Sequence, residues 1–362
     1  MRVAIDAREL TGHPTGVGRY LSELLVEWQA AGVDRRHVLQ LYAHAPPTLV
    51  PAGLTADIRV ITGAGGTRWE QWDFQRALAR DRPDVVFAPG YTAPLAAPAP
   101  TVVAIHDVSF FAHPEWFAWR EGTRRRLLTA WSARRARLVL APSAFSASEV
   151  VRHTAVDPSR IRLVYLGVRP PTQPVVAGRA PLVLFVGSLF QRRRVDVLID
   201  AFARVVAARP DARLEIVGAN RTTPPIDFAA AVAAHGLGKS VRLRDWVDDA
   251  TLDGLYRDAA VFVFLSRYEG FGFTPLEAMT YGAVPVVLDT PVAREIYGDA
   301  AWRVAEGPAL TADVAAAIGA LLDDAAARAR YRAAAAPVLA SYQWAGAAQR
   351  VLACLEEAAG AR

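Results

Sequence analysis

Two glutamates, Glu269 and Glu277, stand with seven residues between them in the segment Ser-Arg-Tyr-Glu-Gly-Phe-Gly-Phe-Thr-Pro-Leu-Glu at 266–277. The apolar run Ala259–Leu265 precedes them and is short, β-branched and aromatic enough to be a buried strand. Gly270, Phe271, Gly272 and Phe273 then form a loop at the carboxyl end of that strand, where open α/β sheets bind ligands. Thr274 suits an N-cap, Pro275 the first helical position, and Glu277 the closing residue of a capping box. A loop that opens a helix in this way presents backbone N–H groups and a positive helix end to an anion. Glu277 therefore has two readings, a capping carboxylate or a ligand acceptor. Glu269 has no capping role to fill.

Three arginines, Arg192, Arg193 and Arg194, follow the strand-like run Leu182–Gly187 and Ser188 and precede a helical pattern. Cations at a helix start oppose its dipole, and an anion between them removes the conflict. Forked guanidinium groups suit a diphosphate, although an arginine run is also an ordinary solvated surface. His106 and Asp107 end another apolar run, Thr101–Asp107, again at a strand's carboxyl end. Gly16, Val17 and Gly18 lead into a helical pattern. They lack the third glycine of a dinucleotide fingerprint, and are either a loop approaching phosphate or sugar or a plain loop–helix junction.

These segments together resemble the retaining nucleotide-sugar glycosyltransferases of family 4. Glu269-Gly270-Phe271-Gly272, Pro275 and Glu277 match that family's glutamate–seven–glutamate signature. Gly187-Ser188-Leu189 with Arg192 is similar to its donor-diphosphate motif, with Arg193 standing where lysine is usual. Ile105-His106-Asp107-Val108 resembles its His-Asp segment, and Asp245-Trp246-Val247 sits where a Gly-aromatic-Val turn faces the nucleobase, so Asp245 is a departure. The resemblance implies a GT-B fold, two doubly wound Rossmann-like domains with a cleft between them. It implies that Glu277 takes the ribose hydroxyls, while Arg192 and Arg193, with Gly187 and Ser188, take the diphosphate. Glu269 and the Gly270–Phe273 backbone would orient the sugar, His106 would reach the sugar or its phosphate, and Val247 would face the base. Gly16, Val17 and Gly18 would lie near phosphate or acceptor.

The implied reaction is transfer of a hexose from a nucleotide sugar to a hydroxyl acceptor, with retention and with neither metal nor cofactor. The acceptor would be a glycan, a lipid-linked sugar or a small molecule. The opening Val-Ala-Ile-Asp-Ala-Arg and Gly-Val-Gly-Arg-Tyr resemble mannosyltransferase branches, which points to GDP-mannose first and to UDP- or dTDP-sugars next. A glycosyl phosphorylase on the same fold and a non-catalytic nucleotide-sugar or glycan-binding subunit are the other readings. A glycosidase also needs two carboxylates, but it has no use for Arg192–Arg194.

Composition narrows the field. The chain has 362 residues, enough for two domains rather than one core. It is 52% hydrophobic and 21% charged, a globular composition. Its single cysteine, Cys354, excludes a disulfide framework or a cysteine-built zinc site and fits a reducing cytoplasm. No secretory leader and no membrane-length apolar run are apparent. The net charge is +5, carried by 40 arginines and one lysine, Lys239, which argues against Schiff-base chemistry. Basic and aromatic residues are not interleaved as nucleic-acid binding would require.

The elements that must hold these residues alternate. Strand patterns at Arg2–Ala7, Val38–Ala43, Ile58–Thr62, Asp84–Pro89, Thr101–Asp107, Leu138–Pro142 and Ile161–Leu166 are interspersed with helical patterns, as parallel sheets require. The proline-rich stretch 169–181 reads as a linker, after which six more strands alternate with helices. The resulting division is 1–168 as an acceptor domain, 182–343 as a donor domain, and 344–362 as a helix that the resemblance returns to the first domain. Within the basic, aromatic segment 116–137, Leu127, Leu128 and Trp131 share one helical face among arginines. That face either covers the sheet or makes a peripheral contact with an anionic membrane.

Overall fold

The computed structural model describes residues 1–12, 15–171 and 180–360. Residues 172–179 of the expected linker lie outside the described residues. Two compact units are present, one built from Met1–Gly167 with Tyr342–Arg362 and the other from Val168–Ser341. The first unit thus takes in Tyr342 and Gln343 as well as the final helix.

The first unit holds strands β1 (Arg2–Asp6), β2 (Val38–Ala43), β3 (Asp57–Val60), β4 (Val85–Ala88), β5 (Thr101–Ala104), β6 (Leu138–Ala141) and β7 (Ile161–Leu163). They pair in the order β3-β2-β1-β4-β5-β6-β7, every pair parallel. Ile5 sits between Leu41 and Phe87 in register, and all three are fully buried. Helices cover both faces, so the central strands are continuous apolar runs rather than alternating ones. The helix Gly16–Ala30 turns Leu21, Leu24, Leu25 and Trp28 into the core. It packs on the C-terminal helix Trp344–Gly360, and the Trp28 indole donates to Ala348 O at 3.0 Å.

The second unit holds β8 (Leu182–Val186), β9 (Arg213–Val217), β10 (Val241–Arg244), β11 (Val261–Phe264), β12 (Val284–Leu288) and β13 (Trp302–Val304). Their order is β10-β9-β8-β11-β12-β13, again all parallel. In each sheet the winding reverses beside the first strand, between β1 and β4 and between β8 and β11. Such switch points open a crevice at the carboxyl ends. The expected fold class, two doubly wound α/β domains, is therefore what the chain adopts.

Three local expectations differ. Except in β2, the ladders of the first unit stop one to three residues before the apolar runs end, so β5 finishes at Ala104 and His106 and Asp107 lie beyond it. The helical pattern between the Ile58–Thr62 and Asp84–Pro89 runs includes a six-residue π-helical stretch, Trp69–Phe74, before tightening into Gln75–Asp81. The long helix Ala325–Ser341 had no readable signal, because its alanines and arginines carry no apolar stripe and only Ala335 is buried.

Gly167 is where the first unit meets the start of its final helix. A Cβ there would lie 2.2 Å from Trp344 N and 2.6 Å from Trp344 Cα, both backbone atoms. Neither can yield without moving the helix. Gly167→Ala is expected to destabilise the protein by roughly 1–3 kcal/mol, the usual cost of overpacking. An unchanged denaturant midpoint would show that the helix start is not held this closely.

Candidate active site

In the second unit, β8 and β11 are neighbours, and the loops at their carboxyl ends meet. The Glu269 carboxylate is 15% exposed and lies between Arg193 and Arg192, at 3.0 and 3.8 Å from Oε1 to the two Nε atoms. The Ser266 hydroxyl donates to the same oxygen at 2.9 Å. Burial would raise the Glu269 carboxyl, but the charges of Arg193 and Arg192 and the bonds from Arg193 and Ser266 outweigh it. The group is held below the usual carboxylate range and is ionised. Arg193 also donates to Ser188 O at 3.0 Å, and Gly187 closes β8 by donating to Val217 O.

The three arginines thus divide. Arg193 lies against the rings of Phe264 and Phe190, at 5.1 and 5.7 Å, where a planar guanidinium fits better than the ammonium it replaces. Arg192 rests on Phe190 at 4.5 Å and donates Nε–H to Tyr268 O at 3.2 Å. Its two terminal nitrogens have no hydrogen-bond partner among the described residues. Arg194 takes a left-handed conformation, caps the helix Val195–Ala208, and reaches out to Glu306 at 2.8 Å. The charge conflict expected at this helix start is therefore relieved first by the protein's own Glu269 and Glu306.

The capping-box expectation for Glu277 is overturned. The helix starts at Phe273, with Gly272 in the left-handed region as N-cap and no side-chain cap, and Thr274 Oγ1 is buried without a partner. A Cβ on Gly272 would lie 2.0 Å from Tyr297 Oη, which donates to Gly272 O at 2.9 Å. With the start set by this glycine, Glu277 falls too deep in the helix to reach back. It is 8% exposed, and Oε2 accepts from the Tyr256 hydroxyl at 3.0 Å. Phe271 is buried against Phe273, with the rings edge to face at 5.5 Å.

At the carboxyl ends of β9 and β10 lies a concavity of about 310 Å³, bordered by Asn220, Asp227, Phe228, Arg244 and Asp245. Val247, expected to face the base, is not among its lining residues. Asn220, Asp227 and Phe228 escaped sequence reasoning, because the loop that carries Asn220 and the short helix Phe228–Ala234 that Asp227 caps have no motif of their own.

In the first unit, His106 donates Nε2–H to Pro89 O at 2.7 Å, since a carbonyl can only accept. Burial lowers the imidazole's pKa, outweighing the opposite pull of that bond and of Asp107 and Glu9. The ring is therefore neutral, and Nδ1 is an acceptor. Asp107 is structural: Oδ1 accepts from the Ser109 N–H and hydroxyl at 2.8 and 2.6 Å, and Oδ2 from Tyr91 at 3.2 Å.

Gly16, Val17 and Gly18 are not a loop but the first turn of the helix Gly16–Ala30, because Thr15 caps it by accepting from Gly18 N at 2.9 Å. That turn borders the His106 site. The His106 ring lies edge-on to Tyr20 at 4.9 Å, and Val17 packs against Gly90, next to Pro89.

Sequence reasoning missed a second ion cluster, at the end of β1. Arg8 Nη2 meets Asp6 and Glu70 at 2.6 Å each, and Thr92 and Gln71 donate to Glu70 at 2.7 and 2.9 Å. Asp6 and Arg8 at a strand's end were a signal. Glu70, 1% exposed on a helix 62 residues from Arg8, was not.

Two doubly wound parallel domains make up a fold of the GT-B class. The family model "Glycosyltransferase Family 4" matches residues 14–171, and "Glycosyl transferases group 1" matches 172–337. The chain belongs to the family 4 glycosyltransferases. GDP-mannose:cellobiosyl-diphosphopolyprenol alpha-mannosyltransferase of Xanthomonas campestris is 31% identical over 38% of this chain. The protein of that description from Komagataeibacter xylinus is 27% identical over 59%. These matches take in 36% and 58% of the relatives' own length. Anabaena Alr3699/HepE, solved with UDP and glucose, has a TM-score of 0.76 at 18% identity over 99% of this chain and 100% of that one, a likeness of fold.

For His106, the ring ¹⁵N spectrum is expected to show Nε2 protonated and Nδ1 bare, with a titration midpoint below that of an unperturbed imidazole. Because the folded pKa is depressed, the associated stability is complete above about pH 6.5 and is lost as pH falls through the folded value. A midpoint at or above the unperturbed value would contradict the neutral ring.

Proposed function

We propose that this chain transfers a hexosyl group from a nucleotide sugar to a hydroxyl acceptor, with retention and without a metal ion. The observation that carries this is Arg192. Its Nε is fixed on Tyr268 O beside Glu269, while its terminal N–H groups have no protein hydrogen bond among the described residues. A guanidinium already ordered and aimed this way is suited to a diphosphate. Glu277, relieved of capping, is a buried carboxylate that can accept the ribose hydroxyls in addition to Tyr256. Glu269, with the turn Gly270–Phe273, orients the sugar. The Nδ1 acceptor of His106 suits a sugar hydroxyl and not a phosphate, which donates no proton when ionised.

In the reaction, the bond from the sugar's anomeric carbon to the diphosphate oxygen breaks and the electron pair leaves with the diphosphate. The acceptor oxygen bonds to that carbon from the same face, and its proton passes to the departing phosphate oxygen. Charge developing on the leaving group meets Arg192 and the helix start at Gly272, both positioned before the reaction. These positive groups supply the stabilisation that a metal ion would otherwise give. The donor we favour is GDP-mannose, supported by the donor named for the relatives above. An acceptor linked to a polyprenol diphosphate would follow the same likeness.

We also assign a peripheral membrane contact to the helix Trp119–Arg135. Of the face formed by Leu127, Leu128 and Trp131, the first and last point outward while Leu128 is half-buried. Trp119 is 77%, Leu127 50% and Trp131 47% exposed, among exposed Arg120, Arg124 and Arg125. Thr129, Ala130, Ser132 and Ala133 are the buried ones. Among the described residues no helix is long and apolar enough to cross a membrane. Flotation with phosphatidylserine vesicles at low salt should carry the protein, and raised salt should release it. No flotation at low salt would remove this contact.

A panel of nucleotide sugars, assayed for transfer and for thermal stabilisation, tests the central reading. GDP-mannose should stabilise most, Glu277→Ala should weaken nucleotide binding, and Arg192→Ala should lower turnover by roughly two orders of magnitude. EDTA should leave the rate unchanged. Loss of activity in EDTA with recovery on adding magnesium would reject the metal-free mechanism, and unaltered nucleotide affinity in Glu277→Ala would reject the ribose assignment.

A further inference from the structure

In the first unit, the end of the sheet opposite His106 carries a cavity of about 340 Å³ whose lining includes Arg135, Arg137 and Arg160 and no carboxylate. Arg137 and Arg160 immediately precede β6 and β7, and Thr101, also in the lining, begins β5. The cavity therefore sits at the amino ends of three parallel strands, away from the carboxyl-end crevice. The apolar walls come from Leu95, Pro100 and neighbouring alanines.

Two of its three exposed cations are anchored on carbonyls, and none is paired with a carboxylate among the described residues. Arg135 donates one Nη1–H to Leu95 O at 2.8 Å. Arg160 donates to Arg134 O and Ala136 O at 3.1 and 3.5 Å, satisfying the last carbonyls of the helix Trp119–Arg135. The Arg137 side chain has neither hydrogen bond nor ion pair among the described residues. Asp157, whose charge is felt by Arg160, is exposed and accepts from Ser159 N at 2.9 Å as the cap of a short turn. Three like charges around one small cavity repel one another, and part of their chain ordering is already in place through the carbonyl bonds. An anion removes the repulsion and uses the forked donors together.

We propose that this cavity is a second anion site, for a phosphate group carried by a small molecule or a lipid headgroup and distinct from the donor diphosphate site. A volume near the lower end of the range for small-molecule pockets, about 300–1,000 Å³, holds a phosphate with a short polar or apolar stem. The occupant would also brace the segment 89–100, which runs from this cavity to the candidate active site. Leu95 O and the Ala93 main chain are bonded to Arg135 and Ser132 at one end. Pro89 O and Thr92 hold His106 and Glu70 at the other.

The test uses the full chain saturated with GDP, so that the donor site is filled. Inorganic phosphate is titrated by calorimetry, and flotation compares phosphatidylcholine vesicles containing phosphatidic acid with vesicles of equal charge containing phosphatidylserine. Arg137→Gln is the main variant, since this exposed side chain bonds to nothing and its loss should not disturb folding; Arg160→Gln is the second. Phosphate binding that weakens at least about tenfold in Arg137→Gln, with GDP affinity unchanged, supports the site with a soluble ligand. Preference for phosphatidic acid that disappears in the variant supports the same site with a lipid ligand. If neither phosphate nor phosphatidic acid distinguishes wild type from both variants, the proposal fails. That failure would leave the glycosyltransferase reading untouched, because GDP binding is measured in the same samples.

Discussion

A carboxylate held between two guanidinium groups organises the second unit. Glu269 comes from the loop after β11, and Arg192 and Arg193 from the loop after β8. The ion cluster therefore bridges the two strands at which the sheet reverses. Three charged side chains, each 12–15% exposed, have lost most of their hydration there. Their mutual attraction, the Ser266 hydroxyl and the aromatic rings beneath must offset that loss. Removing Glu269 would leave two largely buried guanidinium groups uncompensated, a loss on the order of 3–5 kcal/mol. The cluster is thus a weak source of net stability but a strong constraint on geometry. It sets where Arg192 points and fixes the loop that leads to Gly272 and the helix start.

The first unit solves a similar problem with the opposite balance of charge. One arginine, Arg8, serves two carboxylates, Asp6 and Glu70, and neutral donors from Thr92 and Gln71 complete the second. Its guanidinium carbon lies 5.4 Å from the centre of the Trp69 ring, beside the π-helical stretch. The extra residue per turn in that stretch brings Glu70 inward at a point where a regular helix would present its side chains differently. Both sheets therefore anchor their carboxyl-end loops with buried ion clusters, one with excess positive charge and one with excess negative charge.

The fold was largely legible because the central parallel strands, such as Val85–Ala88 and Val261–Phe264, are buried on both faces and leave near-continuous apolar runs. Strand ends were less so, since residues such as Ile105 stay fully buried after the ladder has stopped. The chemistry-bearing residues were visible as types at meaningful spacings, but their partners were not. Arg193 and Glu269 are 76 positions apart, and Tyr256 and Glu277 are 21 apart. Local rules assigned Glu277 to a capping box, and a tertiary contact took it elsewhere. Gly16–Gly18 shows the reverse case, where a local cap, Thr15, was missed and a helix turn was read as either a loop or a loop–helix junction.

The first unit is discontinuous in sequence: it begins at Met1, breaks off at Gly167, and is completed only by residues from Tyr342 onward. On a ribosome, chains emerge from the amino end, and domains usually fold in that order. Here the second unit is wholly synthesised before the first can acquire the helix that accepts the Trp28 hydrogen bond and packs against Gly167. During that interval the surface of Gly16–Ala30 that later meets this helix stays uncovered. The nascent chain therefore passes through a stage in which its earlier half waits on its later one. A stalled or truncated product would expose that apolar surface to chaperones.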